Sequence, residues 1–190
     1  MAREQVKKHA PKPGAGPTAI SGVIVKDGVV VENDPWVFLA DGDDGPEEGA
    51  IVVSLTRFKA EREALLKRND LRLGVLIAPG EEIEDVAEDI HRFELIAVAF
   101  PAFRDGRGFS TARLARERYG FKGELRAAGD VIPDLIFFML RCGFNSFTLR
   151  GADPIADYER AAKSFSISYQ AAADGRRPVY GLRAARAEKA

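Results

Sequence analysis

Hydrophobic and polar positions along this chain switch repeatedly between two periods. From Ala50 onward, short apolar runs alternate with longer stretches of helical spacing. The runs are "AIVVSL", "LRLGVLIA", "LIAVAF", "ELRAAG" and "FNSFTL". Each is short, rich in β-branched or small apolar residues, and bounded by polar or Gly positions, which predicts a strand. "LIAVAF" is nearly all apolar, as expected of a strand covered on both faces. The stretches between carry apolar residues at helical spacing. Examples are Phe58, Leu65 and Leu66, then Ile83, Val86, Ala87, Ile90 and Phe93. In "PDLIFFMLRCG" the spacing predicts an apolar face of Leu135, Phe138, Met139 and Cys142. In "DPIADYERAAKSFS" it predicts Ile155, Tyr158, Ala162 and Phe165. Ser110 and Asp153 stand at expected N-caps, Pro133 and Pro154 at first helical positions, and Gly120 and Gly143 at expected stops.

Five strand–helix alternations predict an α/β fold built from βα units around a mainly parallel sheet. A flavodoxin-like, doubly wound sheet accommodates five units better than a closed eight-unit barrel; a partial (βα) barrel is the alternative. Ahead of them, "GVIVKDGVVV" predicts a β-hairpin turning at Asp27-Gly28. Trp36 then reads as an anchor before an acidic, Gly-rich loop. Residues 1–19, a Lys/Pro/Gly/Ala mixture, read as a flexible arm, residues 20–170 as a single α/β domain, and 171–190 as a flexible tail.

Composition narrows the function classes. The 190 residues carry 28 Lys+Arg against 29 Asp+Glu, a formal net charge of −1. That balance argues against nucleic-acid binding. No apolar run reaches the length of a membrane span, and no signal-type segment is visible. With one cysteine, Cys142, and two histidines, no disulfide, self-contained iron–sulfur cluster or structural zinc site is expected. The cytoplasm is the expected location. No cofactor is identified by any motif; dinucleotide and Walker-type glycine loops are both absent.

Ligands of a parallel sheet bind beyond the carboxyl ends of its strands. The longest loop predicted there is "FRDGRGFSTAR", Phe103 to Arg113. It has the parts of an anion- or partner-binding site: Arg104, Arg107 and Arg113 as cations, Asp105 to orient them, and Ser110 as helix cap. Gly106 and Gly108 would let the backbone turn with positive φ and approach a ligand. The competing reading is a charged turn, with Arg113 paired to Glu117 and Asp105 neutralising an arginine. Secondary candidates are Asp130 and Asp134, which also suit helix capping and first-turn charge, and Arg141 and Cys142, the thiol reading foremost as a buried structural group. No catalytic residues emerge.

The string "FPAFRDGRGFSTARLARERYGFKGELRAAGDVIPDLIFFMLRCGFNSFTL", with "DGVVVENDPWVFLADG", "IVVSLTRFKAEREALL" and "RLGVLIAPGEEIEDVAEDI", closely resembles the bacterial domain-of-unknown-function family 934. The likeness runs from about Gly22 to Tyr169. Matching motif positions are Asp105, Gly106, Arg107, Gly108, Ser110, Arg113, Gly129, Asp130, Asp134, Arg141, Cys142 and Gly143. Leu135 stands where the family usually has glutamine. The resemblance implies a setting: such proteins are encoded beside the haemoprotein subunit of assimilatory sulfite or nitrite reductase and are described as an oxidoreductase of sulfite reduction. One cysteine cannot hold that reductase's cluster. The expectation is therefore an accessory, electron-transfer or anion-handling protein, its partner the haemoprotein subunit or a small oxyanion. The alternatives are a stand-alone flavin- or nicotinamide-dependent reductase and a non-catalytic interaction domain.

Overall fold

A computed structural model describes residues 22–187 of the protein; the arm expected over 1–19 lies outside the described residues. Eight strands form one sheet: β1 (Val23–Lys26), β2 (Val29–Val31), β3 (Trp36–Phe38), β4 (Gly49–Ser54), β5 (Leu71–Ile77), β6 (Phe93–Phe100), β7 (Glu124–Gly129) and β8 (Ser146–Leu149). Their order is β2-β1-β8-β7-β6-β5-β4-β3. Strands β3 to β8 are parallel to one another, and β1 runs antiparallel to β2 and β8. The expected hairpin is β1–β2, with Asp27 (φ 51°) and Gly28 (φ 83°) both left-handed at its turn. That geometry matches the twist of the two strands.

The chain is mixed α/β and mostly parallel, as expected, but the doubly wound, flavodoxin-like arrangement is corrected. From β3 to β8 the strand order never reverses. A doubly wound sheet requires a reversal, whereas right-handed crossovers in one direction place all helices on one face. The sheet curls into a half-barrel, the alternative noted from the sequence. It also exceeds five βα units, because β1, β2 and β3 extend it at both edges.

The helices are α1 (Leu55–Lys67), a 3₁₀ helix (Ile83–Arg92), α2 (Arg107–Arg113) continuing into a π turn (Leu114–Arg118), α3 (Pro133–Arg141), α4 (Pro154–Ala162) and α5 (Val179–Ala187). Phe58, Ile83, Val86, Ala112, Ile136 and Met139 from this layer form one core with Ile51, Val75, Val98, Leu125 and Phe147 from the outer sheet face. The inner face alternates with it. There Trp36, Ala50, Val52, Leu95 and Ala97 form a second, smaller cluster. The Trp36 ring covers Gly74, where a Cβ would lie 3.2 Å from it, and Arg72 stacks 5.0 Å from the ring centroid.

Two helix faces differ from expectation. The 83–92 segment is 3₁₀ rather than α, so Asp89 turns inward with Ile83 and Val86 at three-residue spacing. Its carboxylate is satisfied by Arg62, at 2.6 and 3.0 Å. In α3 the buried residues are Ile136, Phe137 and Met139, while Phe138 stays 51% exposed. "LIFFML" is apolar all round, so its periodicity cannot choose a face. Segment 164–178, whose residues 171–178 belong to the expected tail, lies against α3: Arg141 donates to the Gln170 carbonyl and lies 3.6 Å from Asp174, and Val179 N–H donates to Ser168 O. Helix α5 buries no side chain. No helix among the described residues is long and apolar enough to cross a membrane.

Candidate functional site

The carboxyl ends of β4 to β8 share one rim, because these strands are parallel. The loop Pro101–Gly106 leaves β6 there and "DVI" leaves β7 beside it. Gly129 connects the two. Its φ is 113°, and a Cβ would lie 2.3 Å from the Phe100 carbonyl oxygen, so only glycine fits. The tight approach lets Asp130 N–H donate to that oxygen at 2.6 Å. The Asp130 carboxylate then accepts the Phe103 N–H at 2.9 Å. Asp130 therefore holds the tip of the β6 loop.

At that tip Phe103 is 44% exposed, and the Arg104 guanidinium lies 5.5 Å from its ring centroid, a cation–π stack. Arg104 is exposed and has no carboxylate partner among the described residues. Arg107 differs. Asp105 accepts from its Nε at 2.9 Å and its Nη2 at 2.6 Å. These bonds hold the Asp105 carboxyl below its usual range and leave Arg107 largely neutralised.

The remaining loop residues are dispersed. The helix starts at Arg107 with Gly106 as N-cap, so Ser110 lies inside α2 and is not the cap. Neither Gly106 nor Gly108 has positive φ. Gly108 is a packing glycine, because a Cβ would meet the Phe100 ring at 2.6 Å and Val98 at 2.9 Å. Arg113 pairs with Glu117 at 2.8 Å. Beside α2 runs a groove of about 340 Å³, but Glu81, Glu82 and Glu84 line it with Arg107 and Ser110, so its charge is mixed.

Asp134 is exposed in the first turn of α3, whose N-cap Ile132 makes no side-chain cap bond. Arg141 and Cys142 sit at the far end of α3, away from the rim. Burial pushes the Cys142 thiol up, against the pull of Arg113 and Arg141; a thiol held neutral is a poor nucleophile. No group of three or more His, Cys, Asp or Glu able to hold a metal occurs among the described residues.

Two charged clusters escaped the sequence reading. On the inner face Arg126, 1% exposed, donates to Glu124 at 2.8 and 2.6 Å and to Asp34 at 2.7 and 2.9 Å. Lys26 completes the cluster 3.0 Å from Glu124. The signal was present: Glu124 and Arg126 alternate with Leu125 and Ala127 at strand period. Arg116 had no such signal. It points from the π turn to the carbonyls of Gly143, Phe121 and Gly123 and to the Asn145 side chain.

Residues 74–180 match the family described as "Bacterial protein of unknown function (DUF934)". The chain belongs to that family. No curated protein matches the chain. The DUF934 match covers the rim from β5 to β8, Gly129–Asp130 and α3, but begins within β5, after the β1–β2 hairpin, β3, β4 and α1. Asp34 and Lys26 of the inner cluster thus lie outside the matched span, while Glu124 and Arg126 lie within it.

Proposed function

We propose that this DUF934 protein is a non-catalytic accessory factor of assimilatory sulfite reduction that docks an acidic face of the reductase haemoprotein subunit with its rim. The observation that carries the docking reading is the Phe103–Arg104 pair: an exposed ring under an exposed guanidinium, at the carboxyl end of β6, with no carboxylate paired to that guanidinium among the described residues. Arginine and aromatic side chains are enriched at protein interfaces, and arginine stacks on aromatic faces. Asp130 and the Asp105–Arg107 pair fix the loop that presents it. An enclosed oxyanion site is supported less, since Arg107 and Arg113 are paired with Asp105 and Glu117 and Ser110 is not the helix cap. The pathway itself rests on the family resemblance of the DGRG and GDV motifs.

Growth on sulfite as sole sulfur source tests both parts. A strain lacking the gene should fail to grow, recover with wild type or added cysteine, and fail with equally abundant Arg104→Glu. Normal growth of a deletion strain without a paralogue removes the pathway. Equal rescue by the variant removes the rim contact and leaves the pathway.

A further inference from the structure

A second surface lies on the outer side of α3. Phe137, Phe138 and Phe165 form a triangle of rings with centroids 4.9 to 6.3 Å apart. Phe165 and Ile167 are more than half exposed and Tyr169 is 79% exposed. Clustered apolar exposure of this kind marks interaction surfaces. Between α3 and the 165–170 segment the rings wall a groove of about 330 Å³, with Arg141 and Ser168 also lining it.

The charge at this groove is unbalanced. Arg141 Nη1, Ser168 Oγ and Asp174 Oδ2 are buried and have no hydrogen-bond partner among the described residues. Asp174, the acid nearest Arg141, is shared: it lies 3.6 Å from Arg141 and 3.5 Å from Arg176. One carboxylate thus serves two guanidinium groups. Across residues 164–187 there are four arginines against the single acid Asp174, in a chain whose net charge is −1. The Arg141 donor, left 3.6 Å from a shared carboxylate, and the Ser168 hydroxyl are buried polar groups that a second acceptor would satisfy.

We propose that this groove docks an acidic protein segment bearing an apolar side chain. The apolar group enters among Phe137, Phe138 and Phe165, and a carboxylate takes the spare donors of Arg141 and Arg176. This surface is separate from the Phe103–Arg104 rim, so the protein presents two docking faces and can bridge two acidic partners.

The test is fluorescence anisotropy of the full chain with a labelled Glu-rich peptide containing one Leu-Trp pair, beside a Lys-rich peptide with the same pair. The Glu peptide should bind. Phe165→Ser and Arg176→Glu, both at exposed positions, should each weaken it about tenfold, with unfolding midpoints unchanged, and Arg104→Glu should leave it intact. Four results would overturn the proposal: no binding at millimolar peptide, equal binding of the Lys peptide, unchanged affinity in both groove variants, or tighter binding of single-stranded DNA or anionic vesicles. Concentration-dependent self-association abolished by Phe165→Ser would also overturn it, by assigning the groove to a second copy.

Discussion

Removing Arg126 should destabilise the half-barrel more than removing any other charged side chain on its inner face. Arg126 makes four hydrogen bonds to two carboxylates from a position that is 1% exposed. In Arg126→Ala, Glu124 stays 6% exposed with Lys26 as its remaining cation, and the tie from β7 to Asp34 is lost. Leaving a buried charge without its partner costs roughly 3–5 kcal/mol. Lys26 still compensates part of Glu124, and Asp34 is 21% exposed and can rehydrate, so the lower end, about 3 kcal/mol, is expected. With a urea slope of about 2 kcal/mol/M, the midpoint should fall by about 1.5 M at unchanged slope. Glu124→Gln with Arg126→Met should recover at least half of the loss, since replacing both charges removes the uncompensated one. The pH dependence has a fixed sign. Burial pushes Glu124 up, but Arg126 and the Lys26 hydrogen bond hold it below the ordinary glutamate value of 4.5. Its stabilisation is therefore complete above 4.5 and is lost as pH falls through the depressed folded value. The gap between wild type and Arg126→Ala should narrow on acidification through that range. A loss under about 1 kcal/mol at pH 7, or a double variant no better than the single, would refute the reasoning.

Gly108→Ala should cost about 1–3 kcal/mol by overpacking against Phe100 and Val98, read by urea unfolding, while Gly106→Ala, with no atom within 4 Å of its Cβ, should change stability by less than about 0.5 kcal/mol. Cys142 should react with a thiol reagent at pH 8 more slowly than free cysteine and reach the free rate in urea, because burial raises its thiol; a native rate at or above the free one would contradict this. Gly129→Ala should displace the β6 loop, seen as loss of the Phe103 amide's protection from hydrogen exchange.

The hairpin and the five βα units were legible because their signals are local: Asp27-Gly28 permits one turn type, and apolar runs of strand length alternate with helical spacing. Strand order was not, because the same alternation serves a sheet that reverses and one that does not. Strand β3 was missed because Trp36–Phe38 is too short to show a period. In the candidate site, Arg104, Asp105 and Arg107 are neighbours in sequence and remain so in space. The rest of "FRDGRGFSTAR" was legible as composition only. Moving the helix start from Ser110 to Arg107 redirects Ser110 and Arg113 away from the tip, and a packing glycine cannot be told from a ligand-approach glycine without the ring of Phe100 above it.

Docking at the rim is most directly tested by the affinity of the purified protein for the sulfite reductase haemoprotein subunit, measured by calorimetry at low and high salt. The account predicts binding that weakens with salt and falls about tenfold or more in Arg104→Glu, with folding unchanged. Binding that is absent, or equal in wild type and variant, would contradict it.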